Sequence, residues 1–423
     1  MGTPRDFESS GSNFGVGVAA PRRDEFPAGH ADVTAVPDAA PPPPLVDLPV
    51  WTRALGWVAV VGLIYLLICA VGIISRGFRG LGGDAAHAMF AFAGDAWVGL
   101  CVGVLATVLI QSSTTTTAIT VSAVGSGALS VRDAVPIILG ANIGTTVTCT
   151  LVALTFVGDR DEFRRALGAS TIHDFYNFLA LAIFFPIELV WHPLERASGA
   201  LTNGLYDTGW LPDPNRFNFV SAATRPVVDG VRDVTTHLAG TLGPLFTIVI
   251  GALLILAVVR YLGKLLKLLM VGRARAILTA AVGRNSYIAM AAGTAVTTLT
   301  QSSTITQSVL VPFAGAGILT PGQIYPVTIG ANVGTTFTAL FAAFAVEGTA
   351  TAKIGLQAAF VHLLYNVFAI AIIFVIPILR PVPLWCAEHL ANIAVAHKWI
   401  IATYLVAVFI LAPALVIVLV AVL

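Results

Sequence analysis

Gln111-Ser112-Ser113-Thr114-Thr115-Thr116-Thr117 is a run of seven polar residues inside apolar sequence, and Gln301-Ser302-Ser303-Thr304 repeats its opening 190 residues later. One serine or threonine in such surroundings is explained by a helix–helix contact. Seven in a row are not, because a helix turns successive residues to different sides. A hairpin tip uses them all. Unpaired backbone N–H groups, hydroxyls and the positive end of a helix make an anion site that needs no arginine. The same reasoning covers Gln301 to Ser308, interrupted by Ile305. A second pair follows, again 190 apart: Gly140-Ala141-Asn142-Ile143-Gly144-Thr145-Thr146 and Gly330-Ala331-Asn332-Val333-Gly334-Thr335-Thr336. Its glycines let a helix unwind and a backbone approach an ion. Asn and Thr oxygens with exposed carbonyls are hard ligands for an alkali cation. The glycine spacing also fits a tight helix crossing, and the two readings are compatible. A third pair is His173-Asp174-Phe175-Tyr176-Asn177 and His362-Leu363-Leu364-Tyr365-Asn366, 189 apart. His and Asn fall on one helix face; interhelical hydrogen bonding accounts for the histidines better than a metal site. Asp174 lies in an apolar span, where a carboxylate is costly and functional.

Three motifs in one order and nearly one register mark a duplicated unit. The elements that carry it must cross a membrane. The 423 residues are 57% hydrophobic and 11% charged, with mean hydropathy +0.87, an integral membrane composition. The net charge of +1 says nothing about partners, and no basic patch suggests nucleic acid; membrane lipid is the surroundings. Cys69, Cys101, Cys149 and Cys386 form no CxxC pair and read as packing residues. Residues 1–50, with Pro41 to Pro44 in a row, read as a disordered Pro-rich tail, without the apolar core of a cleaved signal peptide.

Spanning helices are predicted over about 55–75, 166–192, 241–263, 355–379 and 399–423. The interrupted apolar regions 85–156 and 285–345 each predict a re-entrant helical hairpin followed by a broken transmembrane helix, because irregular backbone at membrane depth survives only where protein buries it or it lines a cavity. The fold class is therefore an all-α polytopic membrane protein with two structural repeats. Residues 51–192 form transmembrane repeat 1, 193–240 an extracytoplasmic loop and 241–380 transmembrane repeat 2. Residues 381–423 hold an interfacial segment and a C-terminal transmembrane helix. Lys264, Lys267, Arg273, Arg275 and Arg284, with no acid among them, place the end of the 241–263 helix in the cytoplasm. With the tail also cytoplasmic the repeats are inverted, although Arg76 and Arg79 then lie outside, against the usual bias. A parallel repeat is the disfavoured alternative.

These motifs resemble the type II sodium-dependent phosphate cotransporter family, whose hallmark is the paired Gln-Ser-Ser. The resemblance covers roughly Ala85 to His192 and Ser286 to Arg380, and includes Gly158-Asp159-Arg160-Asp161-Glu162-Phe163-Arg164-Arg165. It implies a symporter importing inorganic phosphate with sodium as the coupling ion and no cofactor. It also implies inverted repeats with the site between hairpin tips, in the plasma membrane. Carried over residue by residue, phosphate falls to Ser112, Ser113, Thr114, Ser302, Ser303 and Thr304. Sodium falls to Gln301, Ser302, Thr335 and Thr338 in one repeat and to Thr150, Asp159, Asp174 and Asn177 in the other, with Gln111 and Asn332 added. Electrogenic members of the family resemble this chain at Asp174, where electroneutral ones have glycine, so the resemblance implies electrogenic transport. Ala331 stands where animal members often have serine. The 193–240 stretch lacks cysteine and any Asn-x-Ser/Thr sequon, which suggests a bacterial relative. Competing readings are a sodium-coupled carrier of another oxyanion or a dicarboxylate, a membrane-embedded enzyme acting on a phosphorylated lipid, and a channel. The spans hold few acids, a poor catalytic set, and closed re-entrant tips favour alternating access over a pore.

Overall fold

A computed structural model describes residues 49–209, 219–282, 285–344 and 349–422. The predicted tail falls almost entirely outside them; α1 starts at its last residue. The described residues are almost all helical, joined by short turns, and none is in a strand. Repeat 1 holds α1 (Val50–Leu81), α2 (Gly83–Met89), α3 (Ala96–Ile110), α4 (Ser113–Ser126), α5 (Val131–Gly144), α6 (Val147–Ala153) and α7 (Arg160–Trp191). Then come α8 (Pro193–Asp207) and α9 (Phe219–Ala239). Repeat 2 holds α10 (Gly243–Ala281), α11 (Ser286–Thr300), α12 (Ser303–Gly315), α13 (Pro321–Phe344) and α14 (Thr349–Ala369), the last continued by a π turn to Phe374. The chain ends in α15 (Val382–Ala396), α16 (Trp399–Val406) and α17 (Ala412–Val422). Among the described residues, seven helical stretches are long and apolar enough to cross a membrane.

α3–α4 and α11–α12 are hairpins whose helices are too short to span. Both turn on a glutamine in the left-handed region, Gln111 (φ 56°) and Gln301 (φ 51°), which costs a non-glycine residue about 1–2 kcal/mol. The next residue in each, Ser112 or Ser302, is extended, and a new helix starts after it.

The helix after each hairpin corrects one expectation. α5 and α6 meet at Thr145–Thr146, yet both threonines keep right-handed helical angles, and α13 runs unbroken through its glycine motif. The backbone does not unwind there. The glycines instead let helices touch. A Cβ on Gly140 would overlap the Leu100 carbonyl of α3, and one on Gly103 the Ile137 carbonyl of α5. In the other copy Gly330 stands against the Met290 carbonyl and Gly293 against that of Val327.

α1 and α10, the first long helices of the two copies, pack against each other in opposite directions. Gly56 lies against Leu269, while Gly77, farther along α1, lies against Pro244 and Ile248. The 193–240 segment is not an irregular loop in its described part. Glu188 caps α8 by accepting from the Leu194 and Glu195 N–H groups (2.7 and 3.1 Å). Tyr65 donates to the Ala223 carbonyl (3.0 Å) and Arg76 pairs with Asp229 (2.9 Å), holding α9 along α1. α15 buries Ala387, Ala391 and Ala394 and packs on α7, with Ala391 facing Gly168.

Candidate functional site

The two hairpin tips border a common space. One cavity of about 450 Å³ is lined by Gln111, Ser112, Ser113, Thr114 and Thr115 from the first and by Gln301, Ser302, Ser303, Thr304 and Ser308 from the second. All six residues assigned to phosphate from the sequence line it. Thr145 and Thr148 complete the wall on the repeat 1 side.

Each tip is fixed by matched contacts. Gln111 donates through Nε2 to the Val108 carbonyl (2.6 Å), and its Oε1 accepts from Thr148 (3.3 Å). Gln301 donates to the Thr298 carbonyl and accepts from Thr338, both at 2.5 Å. Behind the tips Thr107 donates to Thr116 (3.0 Å), and Thr297 and Thr306 share the matching bond (2.8 Å). These bonds hold the glutamines in their strained conformation.

The third wall was missed from the sequence as a site element. α10 contributes Arg260, Lys264 and Lys267 to the lining. Spaced by four and three residues, they share one face of an apolar helix. That stripe was legible; Lys264 and Lys267 had served only to orient the helix. Their charge makes the cavity attractive to anions.

The candidate sodium residues do not converge on one point. Gln301 and Ser302 line the cavity, as does Gln111, and Thr338 is bonded to Gln301. Thr335 donates to the Ala331 carbonyl of its own helix (3.0 Å). Asp174 is fully buried; its Oδ2 accepts from Thr150 (3.3 Å) and from Tyr404 of α16 (2.9 Å), while its Oδ1 has no partner. No sequence signal ties Tyr404 to Asp174 across 230 residues.

Asn177 and Asn332 belong to a third group, a buried network between the copies. Asn177 Oδ1 accepts from Asn142 (3.2 Å) and from Asn332 (2.8 Å). His173 Nε2 donates to Asn332 Oδ1 (2.5 Å), and His362 Nε2 to Asn142 Oδ1 (3.4 Å). The histidines thus make interhelical bonds, as expected.

Asp159 does not join any of these groups. Its carboxylate caps α7, accepting from the Asp161 and Glu162 N–H groups (both 2.9 Å), and it is exposed. Fifteen residues of helix, about 22 Å, separate it from Asp174, so the two aspartates do not share one site in this arrangement.

The family described as Na+/Pi-cotransporter matches residues 66–190 and 254–376. The chain is 29% identical to "Sodium-dependent phosphate transport protein 2B" of Pongo abelii, over 84% of this chain and 64% of the relative. The Homo sapiens protein of the same name gives the same figures. "Sodium-dependent phosphate transport protein 2A" of Mus musculus is 30% identical, over 87% of this chain and 68% of the relative. The matches thus span about two thirds of the length of these relatives. No solved structure matches the chain.

Proposed function

The chain belongs to the Na+/Pi-cotransporter family, and from that premise we propose that it is a symporter of the plasma membrane that imports inorganic phosphate with sodium by alternating access. The observation that carries this reading is the single cavity faced by both hairpin tips. Phosphate docks between Ser112, Ser113 and Thr114 on one side and Ser302, Ser303 and Thr304 on the other, held by hydroxyls and by free N–H groups at the starts of α4 and α12. Arg260, Lys264 and Lys267 raise the local anion concentration. They line the wall that continues into the basic end of α10, the cytoplasmic end by charge bias.

Sodium enters as substrate. Asp174, buried with one unpartnered oxygen and flanked by Thr150, is the carboxylate a cation would neutralise. Gln301, Ser302 and Thr338 offer a second, neutral oxygen set at the repeat 2 tip. Sodium charge compensates both Asp174 and phosphate, so only the fully loaded cavity closes. The antiparallel pairing of α1 with α10 and the reciprocal His–Asn bonds support inverted copies. Such a pair can expose a midplane site first on one side and then on the other. With Asp174 present, transport is electrogenic.

The test is uptake of radiolabelled phosphate into proteoliposomes under an inward gradient of sodium or of potassium. Uptake confined to sodium is expected. Equal uptake in both would reject coupling, and sodium-driven uptake of a dicarboxylate but not phosphate would reject the substrate.

A further inference from the structure

Gln307 is 1% exposed, and neither its amide oxygen nor its amide nitrogen has a hydrogen-bond partner. An orphaned buried amide is destabilising, and its place in the fold points to the group it could serve. Arg165 of α7 donates to the Gly315 carbonyl of α12 (2.8 Å), a Cβ on Gly315 would sit 3.6 Å from that of Ala166, and Leu167 packs in one cluster with Val311. The two helices therefore run antiparallel in contact. Following each stripe by steps of four residues leads from Ala166 through Ser170 to Asp174 on α7, and from Gly315 through Val311 to Gln307 on α12. Asp174 and Gln307 reach the same level on facing stripes. Asp174 Oδ1 is also unpartnered, so each of the two facing stripes carries a buried oxygen without a hydrogen bond at this level. Ala153, one turn beyond Thr150 on α6, packs in the Val311 cluster, which brings Thr150 to the same level.

We propose that Gln307 is a ligand of the sodium ion held by Asp174, so that the ion ties hairpin α11–α12 of repeat 2 to the spanning helix α7 of repeat 1. Gln307 Oε1, Asp174 Oδ1 and the Thr150 hydroxyl are hard oxygen donors, the kind such a cation takes. The twin position lacks this pairing. Thr117 stands where Gln307 stands, and the counterpart of Asp174 is Leu363. The site is thus asymmetric in a symmetric fold and couples ion occupancy to movement of one hairpin.

The inference rests on the sodium-coupled reading for the identity of the ion. Its test measures sodium binding without phosphate. The purified full chain is melted in choline chloride and across a sodium chloride titration. Sodium raises the wild-type melting temperature. Gln307→Leu, which removes the orphaned amide, melts in choline no lower than wild type and needs about tenfold more sodium for the same rise. In proteoliposomes the variant's sodium half-saturation moves by a similar factor, while its phosphate half-saturation at saturating sodium stays put. A wild-type sodium titration in Gln307→Leu overturns the assignment, as does a lowered melting temperature in choline with an unchanged sodium response. If wild type itself ignores sodium both in melting and in uptake, the coupled reading fails as a whole. A wild type that responds to sodium beside an unaltered variant brings down Gln307 alone.

Discussion

His173 in the first copy and Asn332 in the second are joined side chain to side chain across 159 residues, and His362 and Asn142 make the reciprocal bond. Each histidine reaches the asparagine of the opposite copy. Asn177 then bridges the two asparagines, so one buried network fastens α5 and α7 to α13 and α14.

Asn332→Leu should destabilise the protein more than Asn366→Leu. The first leaves His173 Nε2 without a partner, at about 1–3 kcal/mol, and takes one of two donors from Asn177 Oδ1. The second loses one bond to its own helix, from Asn366 to the His362 carbonyl (2.9 Å). Thermal unfolding in detergent ranks them; equal losses would mean the network adds nothing to holding the copies together.

Gly140→Ala and Gly330→Ala should abolish folded protein or cost about 3 kcal/mol or more, because the new methyl group meets backbone that cannot swing aside. Gly62→Ala, whose Cβ would meet nothing within 4 Å, should be neutral or stabilising by about 0.5–1 kcal/mol. Size-exclusion profiles and melting temperatures separate them. Wild-type behaviour of both motif variants would contradict the close crossings.

Two kinds of phosphate contact should be separable by ionic strength. Ser113→Ala and Ser303→Ala each remove a short-range hydroxyl and should raise the phosphate half-saturation about tenfold at any salt concentration. Arg260→Gln acts through the field of the cavity, so its defect should be largest in dilute buffer and shrink as salt screens it. An Arg260→Gln defect that does not vary with an inert salt would make Arg260 a direct ligand or a packing residue, and unchanged kinetics in both serine variants would remove the hairpin-tip site.

Phosphate should evoke an inward sodium-dependent current in the wild type. Asp174→Gly should abolish that current while leaving measurable uptake, because one carboxylate and the sodium it neutralises are lost together. Current and tracer flux recorded on the same membranes decide this. A current surviving in the variant would place the extra charge elsewhere.

Much of this was legible in the chain. Composition dictates a membrane protein, and repetition of Gln-Ser-Ser-Thr and Gly-Ala-Asn-x-Gly-Thr-Thr at a fixed offset dictates duplication with a polar element in each half. Polar runs that cannot share one helix face call for a turn, which is why a helical hairpin is expected within each run; that the turn falls on the glutamine came only from the structure. Unwinding at the glycines was expected because glycine permits two outcomes, a bent backbone or a close neighbour. Only the approach of α3 and α11 chose the second. An exposed capping aspartate and a buried aspartate are the same residue in sequence. The length of α7 between Asp159 and Asp174 told them apart. The basic stripe of α10 was visible, but its facing the hairpin tips was not. Tyr404 carried no signal toward Asp174, because a residue's partner across a helix interface depends on the register of two distant segments. Sequence settled which local conformations and which chemistry the chain carries. Packing settled which groups meet, because contacts hundreds of residues apart are fixed only when whole helices dock.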